Sequence, residues 1–276
     1  MSNLTFGPPV TLDGPLPAAP PYSLLNTPGV LQEGGSDRWI NGVTIYPYPV
    51  DLPNNWDPCS DGTFRTKEEG TGVPLPVFAS FVVYLPITCS SISIGDPEEF
   101  SGRAEIAMNA VESYAIEKQL SQGTGIATNP YFDDAAVTIL AGGAGVSPAV
   151  ALSYLEDAIG QTGKQGMIHA TPAVASQWFD QNRAFTRQLV TVNGTRVAAG
   201  GGYSGGRPTG GAAAAAGEAW AYATGPVEVR HSDVAVMDIS EVLDRSNNDV
   251  TFRAERYALA EWDTQLQAAV LVNWTP

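Results

Sequence analysis

The sequence is short of charge, and above all of positive charge. Charged residues make up 16 % of the chain and apolar residues 43 %, whereas an average soluble domain carries about 25 % charged residues. The chain has 14 lysines and arginines against 29 aspartates and glutamates, for a formal net charge of −15. Because contacts with nucleic-acid phosphates need clustered cations, this balance argues against a protein that binds DNA or RNA through a basic surface.

Cysteine and histidine are almost absent. Cys59 and Cys89 can form at most one disulfide, and their spacing provides no CxxC pair for zinc. We interpret them as two reduced thiols in a cytoplasmic assembly, with a bridge between them as the alternative. His169 follows apolar residues and is predicted to be a buried, hydrogen-bonded ring, whereas His231 is predicted to be partly exposed. No metal site and no cofactor are predicted.

No segment has the character of a signal peptide or of a membrane span. Residues 1–9 have neither a basic start nor an apolar run. Elsewhere no apolar run is long enough to cross a bilayer. We therefore expect a protein that is neither exported nor embedded in a membrane.

Two motifs of catalytic or nucleotide-binding type occur in one glycine-rich stretch. Residues 202–206 match G-x-S-x-G with Ser204 at the nucleophile position, and residues 200–205 match G-x-G-x-x-G. Both motifs have meaning only at a strand-to-helix turn. Pro208 and further glycines follow here, so no helix is predicted. We expect no catalytic residue, and a hydrolase that uses Ser204 is the alternative.

The strongest local signals predict a helix over residues 97–122. Asp96 is a good N-cap, Pro97 fits the first helical position, and Gly123 fits the position after the helix. The apolar residues that approximate a period of 3.6 are Phe100, Ala104, Ala107, Met108, Val111, Tyr114, Ala115 and Leu120.

The other elements alternate between extended and helical segments. Residues 1–36 are rich in proline and predict an extended arm on another subunit or a disordered leader. Ser147 and Pro148 begin a second helix, and Pro172 begins a third after a buried strand. The remaining predicted segments are a hairpin over 38–75 and strands over 77–92, 167–170, 188–192, 196–199, 219–223, 226–237 and 250–274.

A low-complexity stretch over residues 200–217 lies between predicted strands. It consists mainly of glycine and alanine and includes Tyr203 and Arg207. It is predicted to be either a flexible surface loop or a closely packed loop at which several copies of the chain meet, because only small residues fit there.

Several segments, together with the order of the elements, carry a resemblance to a known family. The chain resembles the major capsid proteins of tailed bacteriophages, which have the HK97-like fold, and is similar to structural proteins of actinobacterial phages. The segments are 102–117 (GRAEIAMNAVESYAIE), 166–172 (GMIHATP), 198–203 (AAGGGY), 220–227 (WAYATGPV) and 250–270 (VTFRAERYALAEWDTQLQAAV).

The resemblance implies an α+β chain with the HK97-like capsid fold. The glycine-rich loop 200–217 is then expected near the symmetry axes of a shell. The implied parts are an extended N-terminal arm (1–36), an E-loop hairpin (37–75), a P-domain with a long spine helix and an antiparallel sheet (76–128), an α/β A-domain (129–248) and a return to the P-domain (249–276).

The function that the resemblance implies is self-assembly, without enzymatic activity. Copies of the chain are expected to form pentamers and hexamers of an icosahedral head that encloses double-stranded DNA. Scaffold, portal and decoration proteins are possible partners, and the expected location is the virion capsid after assembly in the host cytoplasm. The candidate contacts between subunits are Trp39, Trp56, Lys67, Tyr203 and Arg207.

Two further structural roles are open alternatives. An encapsulin-like nanocompartment shell has the same fold but encloses an enzyme instead of a genome. A phage tail or decoration protein would instead lack the long helix and show an all-β pattern.

Overall fold

The structure of the chain, a computed structural model, describes most of the residues. The described ranges are 15–32, 37–46, 75–89, 97–126, 128–179, 189–236, 243–244 and 249–275. Trp56, Lys67 and Cys59 lie outside them, so the predictions made for these residues remain predictions.

The three helices and most of the strands occur in the order that the sequence predicts. The described helices and strands are β1 (Val43–Thr44), β2 (Val77–Phe78), β3 (Phe81–Cys89), α1 (Pro97–Gln122), β4 (Thr138–Ile139), α2 (Pro148–Gln161), β5 (Met167–Ala170), α3 (Pro172–Phe179), β6 (Leu189–Val190), β7 (Arg196–Ala199), β8 (Glu218–Thr224), β9 (Val227–His231), β10 (Ala235–Val236), β11 (Leu243–Asp244), β12 (Asp249–Trp262) and β13 (Gln267–Asn273). The sequence does not predict the short strands β4 and β11, and the predicted segments 226–237 and 250–274 each form two strands.

Helix α1 has the predicted bounds. It begins at Pro97 and ends at Gln122. Gly123 follows with a φ of +64°, and its N–H donates to the carbonyl of Gln119 at 2.9 Å. This left-handed residue closes the last turn, which is the reason glycine is favoured there.

The buried side of α1 differs from the predicted apolar side. Val111 and Tyr114 are 46 % and 53 % exposed, although the periodicity predicts them to be buried. Two carboxylates, Glu112 and Glu117, are buried instead. The apolar residues of this helix that are buried are Ala104, Met108, Ala110, Ile116 and Leu120.

The first sheet is organised around one long strand. Strand β12 has 14 residues and pairs antiparallel with β3 along one edge. Its other edge pairs in turn with β11, β10 and β9, all antiparallel. Helix α1 contacts both β12 and β3, so the long helix and this sheet form one layered unit.

The second sheet is mixed and has helices α2 and α3 packed against it. Its strand order is β4, β13, β8, β5, β7 and β6. Strands β5 and β7 run parallel, and α2 and α3 add Leu155, Ile159 and Val174 to a core with Ile168 and Val270. This is the helix–strand–helix unit that the sequence predicts. The segment after residue 250 contributes a strand to each sheet.

The base of the predicted hairpin is present, but its first part is not a strand. Val43 and Thr44 pair with Phe78 and Val77. Trp39, for which strand structure is predicted, lies in a 3-10 helix over Asp37–Asn41. Its ring is partly buried against the main core.

Part of the predicted arm packs on its own subunit. Leu24 and Val30 are fully buried in the main core. The N–H of Val229 in β9 donates to the carbonyl of Val30 at 2.8 Å. Residues 20–32 are therefore integral to the fold of one chain, whereas the role of the arm between subunits stays a prediction.

Within the described ranges, none of the helices is long and apolar enough to cross a membrane.

Helix α1 allows a direct test of which side is buried. We expect Met108→Ala to lower the free energy of unfolding by about 2–5 kcal/mol, because it leaves a cavity in the core. Val111→Ala on the exposed side should change it by no more than about 0.5 kcal/mol. Urea unfolding of both variants makes the measurement, and equal losses would contradict the assigned orientation of α1.

Candidate functional site

The start of the glycine-rich loop is bound to helix α1 by one buried carboxylate. The Glu117 Oε2 atom accepts from the N–H of Gly202 at 3.0 Å. The Glu117 Oε1 atom accepts from the N–H of Leu24 at 3.0 Å and from the Ser113 hydroxyl at 3.0 Å. We call these four residues the Glu117 junction. It joins the arm, the helix and the loop.

The closeness of this contact explains why glycines stand in the loop. A Cβ atom at Gly200 would lie 2.0 Å from the Glu117 carboxylate. A Cβ atom at Gly202 would lie 2.3 Å from the carbonyl oxygen of Tyr114, a backbone atom that cannot move aside easily. The first part of the loop is therefore closely packed, but against its own helix.

The next part of the loop is held by a second buried carboxylate. Asp133 accepts from the Tyr222 hydroxyl and from the N–H of Arg207, both at 2.7 Å. The carbonyl oxygen of Asp133 accepts from the Thr209 N–H at 2.9 Å. Burial raises the pKa of Asp133 above its ordinary value. The loop is thus fixed at two points before it reaches its tip.

The tip of the loop, residues 212–216, is exposed. The Trp220 indole N–H donates to the Ala212 carbonyl at 3.0 Å and fixes one end of the tip. All five residues of the tip are alanines, so only methyl groups project from it. This exposed tip is available to meet another molecule, as are the exposed residues Ser204 and Arg207 earlier in the loop.

His169 is the buried, hydrogen-bonded ring that the sequence predicts. Its Nε2 atom lies 2.9 Å from the Thr224 hydroxyl, which itself donates to the Gly225 carbonyl. The hydroxyl therefore accepts from Nε2–H, and Nδ1 accepts from the Tyr203 hydroxyl at 3.0 Å. Burial lowers the pKa of His169 from 6.5 to about 3, so the ring is neutral.

A third polar cluster joins α1 to β12. The Arg256 guanidinium donates to Glu112 at 2.8 Å and to the Asn109 side chain at 3.0 Å. It also contacts the Nδ1 atom of His231, a half-buried residue, which agrees with the partial exposure predicted for it. The cluster pairs a buried charge with a carboxylate, as burial requires.

The predicted contact residues have different surroundings. Tyr203 is 1 % exposed and bonded to His169, so its burial in its own subunit argues against a direct contact with a neighbour. Arg207 is exposed, and its Nε atom donates to the Gly211 carbonyl. Trp39 is half-buried. For Arg207 and Trp39 a role between subunits stays a prediction.

The backbone around Ser204 is not a nucleophile elbow. A 3-10 turn over Gly201–Tyr203 comes before Ser204, whose φ of −67° and ψ of 135° are extended. No helix follows directly, so the strand-to-helix geometry of a hydrolase or a dinucleotide site is missing here. Among the residues that the structure describes, no group of three or more His, Cys, Asp or Glu side chains could hold a metal ion.

Sequence reasoning missed Glu117 and Asp133 as the residues that fix the loop. Glu117 belongs to a helical pattern in which carboxylates are normally solvated. Its partners at positions 24 and 202 are 93 and 85 residues away along the chain. No local signal connects such distant positions.

The close approach of the loop to α1 predicts a cost for any side chain at position 202. We expect Gly202→Ala to lower the free energy of unfolding by about 1–3 kcal/mol, because the methyl group would overlap the Tyr114 carbonyl. Ser204→Ala, at an exposed position two residues on, should have little effect. Thermal unfolding of both variants checks this, and a neutral Gly202→Ala would contradict the packing.

The burial of neutral His169 predicts acid sensitivity of the fold. The pKa is about 3 when folded and about 6.5 when unfolded, so the stability contributed by the neutral ring is present above pH 6.5. It is lost as the pH falls toward 3. Because of this residue, the free energy of unfolding should fall by about 2 kcal/mol between pH 7 and pH 5. Urea unfolding of His169→Gln should show a correspondingly shallower pH dependence, and an unchanged dependence would contradict the assignment.

Comparison with known proteins gives a consistent result at the level of structure alone. Sequence comparison finds no matching family model and no matching curated protein. The capsid of an empty GTA particle, computed with C5 symmetry, matches with a TM-score of 0.58 and 15 % identity, over 99 % of this chain and 96 % of that one.

Two phage structures match in the same way. A chain of Mycobacterium phage Cain matches with a TM-score of 0.54 and 11 % identity, over 95 % of this chain and 93 % of that one. A chain of Mycobacterium phage Che8 matches with a TM-score of 0.51 and 12 % identity, over 99 % and 98 %. Of these three structures, one is the capsid of a GTA particle and two come from Mycobacterium phages. The predicted fold class is therefore confirmed: this α+β chain has the HK97-like capsid fold.

Proposed function

We propose that the chain is a major capsid protein, which assembles with copies of itself into the head of a phage. The observation that carries this proposal is the end-to-end agreement with capsid structures. The match to the GTA capsid leaves only a small part of either chain uncovered. The agreement covers nearly the whole of both chains and is therefore not limited to a single core domain.

The surface of the subunit supports a role among neighbours. Val82 and Tyr257 are partners across β3 and β12, and both are nearly half exposed. Tyr84 beside them is 64 % exposed. Apolar side chains adjacent on one sheet face are typical of a surface that another molecule covers. The low share of charged residues in the chain agrees with this.

The parts of the subunit then have separate roles. The part of the arm before residue 20 and the E-loop hairpin extend over neighbouring subunits, with Trp56 as an apolar contact and Lys67 as a charged one. The exposed tip 212–216 lies nearest the symmetry axes of pentamers and hexamers, where alanine side chains accommodate both ring sizes. Trp39 and Arg207 are contacts at the edges of these surfaces.

The proposed role needs neither a cofactor nor enzymatic activity. The net charge of −15 suits a shell that encloses double-stranded DNA without binding it tightly. Scaffold, portal and decoration proteins complete the set of partners, with assembly in the host cytoplasm and a final location in the virion capsid. The alternative of an all-β tail or decoration protein does not agree with the 26-residue helix α1.

Assembly of the purified full chain tests the proposal. We expect sedimentation velocity and negative-stain electron microscopy to reveal rings of five or six subunits, or closed shells. A chain that remains a monomer of 29.0 kDa at every concentration would contradict the proposal.

A truncation separates assembly from folding in the same experiment. Removal of residues 1–19 leaves the buried Leu24 and Val30 in place, so the circular dichroism spectrum should be unchanged. Removal of all of 1–36 would instead take both residues from the core. We expect the shorter truncation to prevent assembly, and normal shells from it would show that the first part of the arm is not needed.

A further inference from the structure

The Glu117 carboxylate uses its two oxygen atoms for two different segments of the chain. Oε1 accepts from the arm at Leu24 and from the Ser113 hydroxyl. Oε2 accepts from the loop at Gly202. Glu117 is 1 % exposed, and the three donors are neutral. The N–H groups of Leu24 and Gly202 therefore both rely on this side chain as their acceptor. Helix α1 makes further bonds to both segments, since Ser113 accepts from the Leu25 N–H and Gln122 donates to the carbonyls of Gly202 and Ser204.

An ionised carboxylate is suited to this task because it has acceptors only. When the carboxyl group is protonated, one of its two oxygen atoms becomes a hydroxyl donor. In glutamine, the amide nitrogen is a donor in the same place. Such a donor would face a backbone N–H of Leu24 or Gly202, and two donors cannot bond to each other. A neutral side chain at position 117 can therefore hold the arm or the loop, but not both.

We propose that Glu117 is a proton-sensitive latch, which holds the arm and the glycine-rich loop together on helix α1 when ionised and releases one of them when protonated. The segment released is the loop. In the protonated group, the carbonyl oxygen remains on the side of Leu24 and Ser113, because it can accept from both of their donors there. The carboxyl hydroxyl then faces Gly202, whose N–H loses its acceptor.

The surroundings of the junction permit protonation. Ser23, Tyr114, Glu117 and Gly201 are among the residues that line a groove of about 460 Å³ beside the junction. Burial raises the pKa of Glu117 above its ordinary value, against the lowering effect of the backbone and Ser113 hydrogen bonds. No cation is among its hydrogen-bond donors.

The other titratable groups near the junction do not replace Glu117 in this role. On α1 itself these are Glu112, which is bonded to Arg256, Tyr114 and Lys118. On the arm there is Tyr22, and on strand β3 Tyr84 lines the same groove as Glu117. From the loop, Tyr203 faces the carboxylate, and burial raises its pKa well above the ordinary value. Behind it His169 remains neutral down to a pKa of about 3.

The sign of the linkage separates local release from unfolding. Because the pKa of Glu117 is higher in the folded chain, the folded chain binds this proton more readily than the unfolded chain. Protonation of Glu117 by itself therefore does not lower the free energy of unfolding. It changes which segment is held, so the effect must be read at the loop and the arm and not from a melting temperature.

Hydrogen–deuterium exchange on Glu117→Gln at pH 7 tests the proposal, since glutamine imitates the protonated group without a change of pH. We expect exchange in peptides covering residues 200–206 to become about ten-fold faster. Peptides covering residues 22–27 should keep the rate of the unaltered chain. The unaltered chain in mild acid should show the same pattern, relative to residues 167–170 of strand β5, whose exchange reports global opening.

Glu105→Gln is the matched control, because it makes the same substitution at an exposed position of the same helix. It should leave both peptides unchanged. Unchanged protection at both segments in Glu117→Gln, or loss of protection at both, would overturn the proposal. The variants and the unaltered chain are compared in the same state of assembly, so the outcome does not depend on whether the chain assembles.

Discussion

The burial of polar side chains along helix α1 is the constraint on which the rest of the structure depends. Glu112, Glu117 and Gln119 are all at least 95 % buried. A buried polar group without a partner costs several kcal/mol, roughly the scale of a whole domain's margin of stability. The partners come from Arg256 of strand β12, from the arm and the loop, and from the backbone after the helix. Each of these segments provides a hydrogen-bond partner to a buried side chain of α1, and the same bond holds the segment in place.

The beginnings and ends of the elements could be predicted because they depend on neighbouring residues. Pro97 and Gly123 mark the ends of α1, and Pro148 marks the start of α2, as the sequence indicates. The buried side of α1 could not be predicted in the same way. Arg256, which makes Glu112 a buried residue, is 144 positions away along the chain, and periodicity alone assigns Val111 to the core in its place.

The small residues of the glycine-rich loop are present for two different structural reasons. The sequence leaves open a flexible loop or a closely packed one, and composition does not distinguish them. Gly200 and Gly202 are glycines because a helix lies against them, with a carboxylate and a carbonyl where a Cβ atom would be. The alanines of the tip 212–216 have no such neighbour and are exposed. The first group serves the fold of one subunit, and only the second is available for a neighbour.

The folds agree although at most 15 % of the residues are identical. What these chains share is therefore the arrangement of the backbone and not individual side chains. A subunit of a closed shell must present the same segments to its neighbours at both five-fold and six-fold positions. In this chain the arm and the loop meet at one carboxylate, which offers one oxygen atom to each of them. Under the proposed function and the proposed latch, a change at the arm and a change at the loop would be coupled through this one turn of helix α1. Such coupling needs two arrangements of similar free energy, and a buried carboxylate whose protonated form satisfies only one of its two segments provides them.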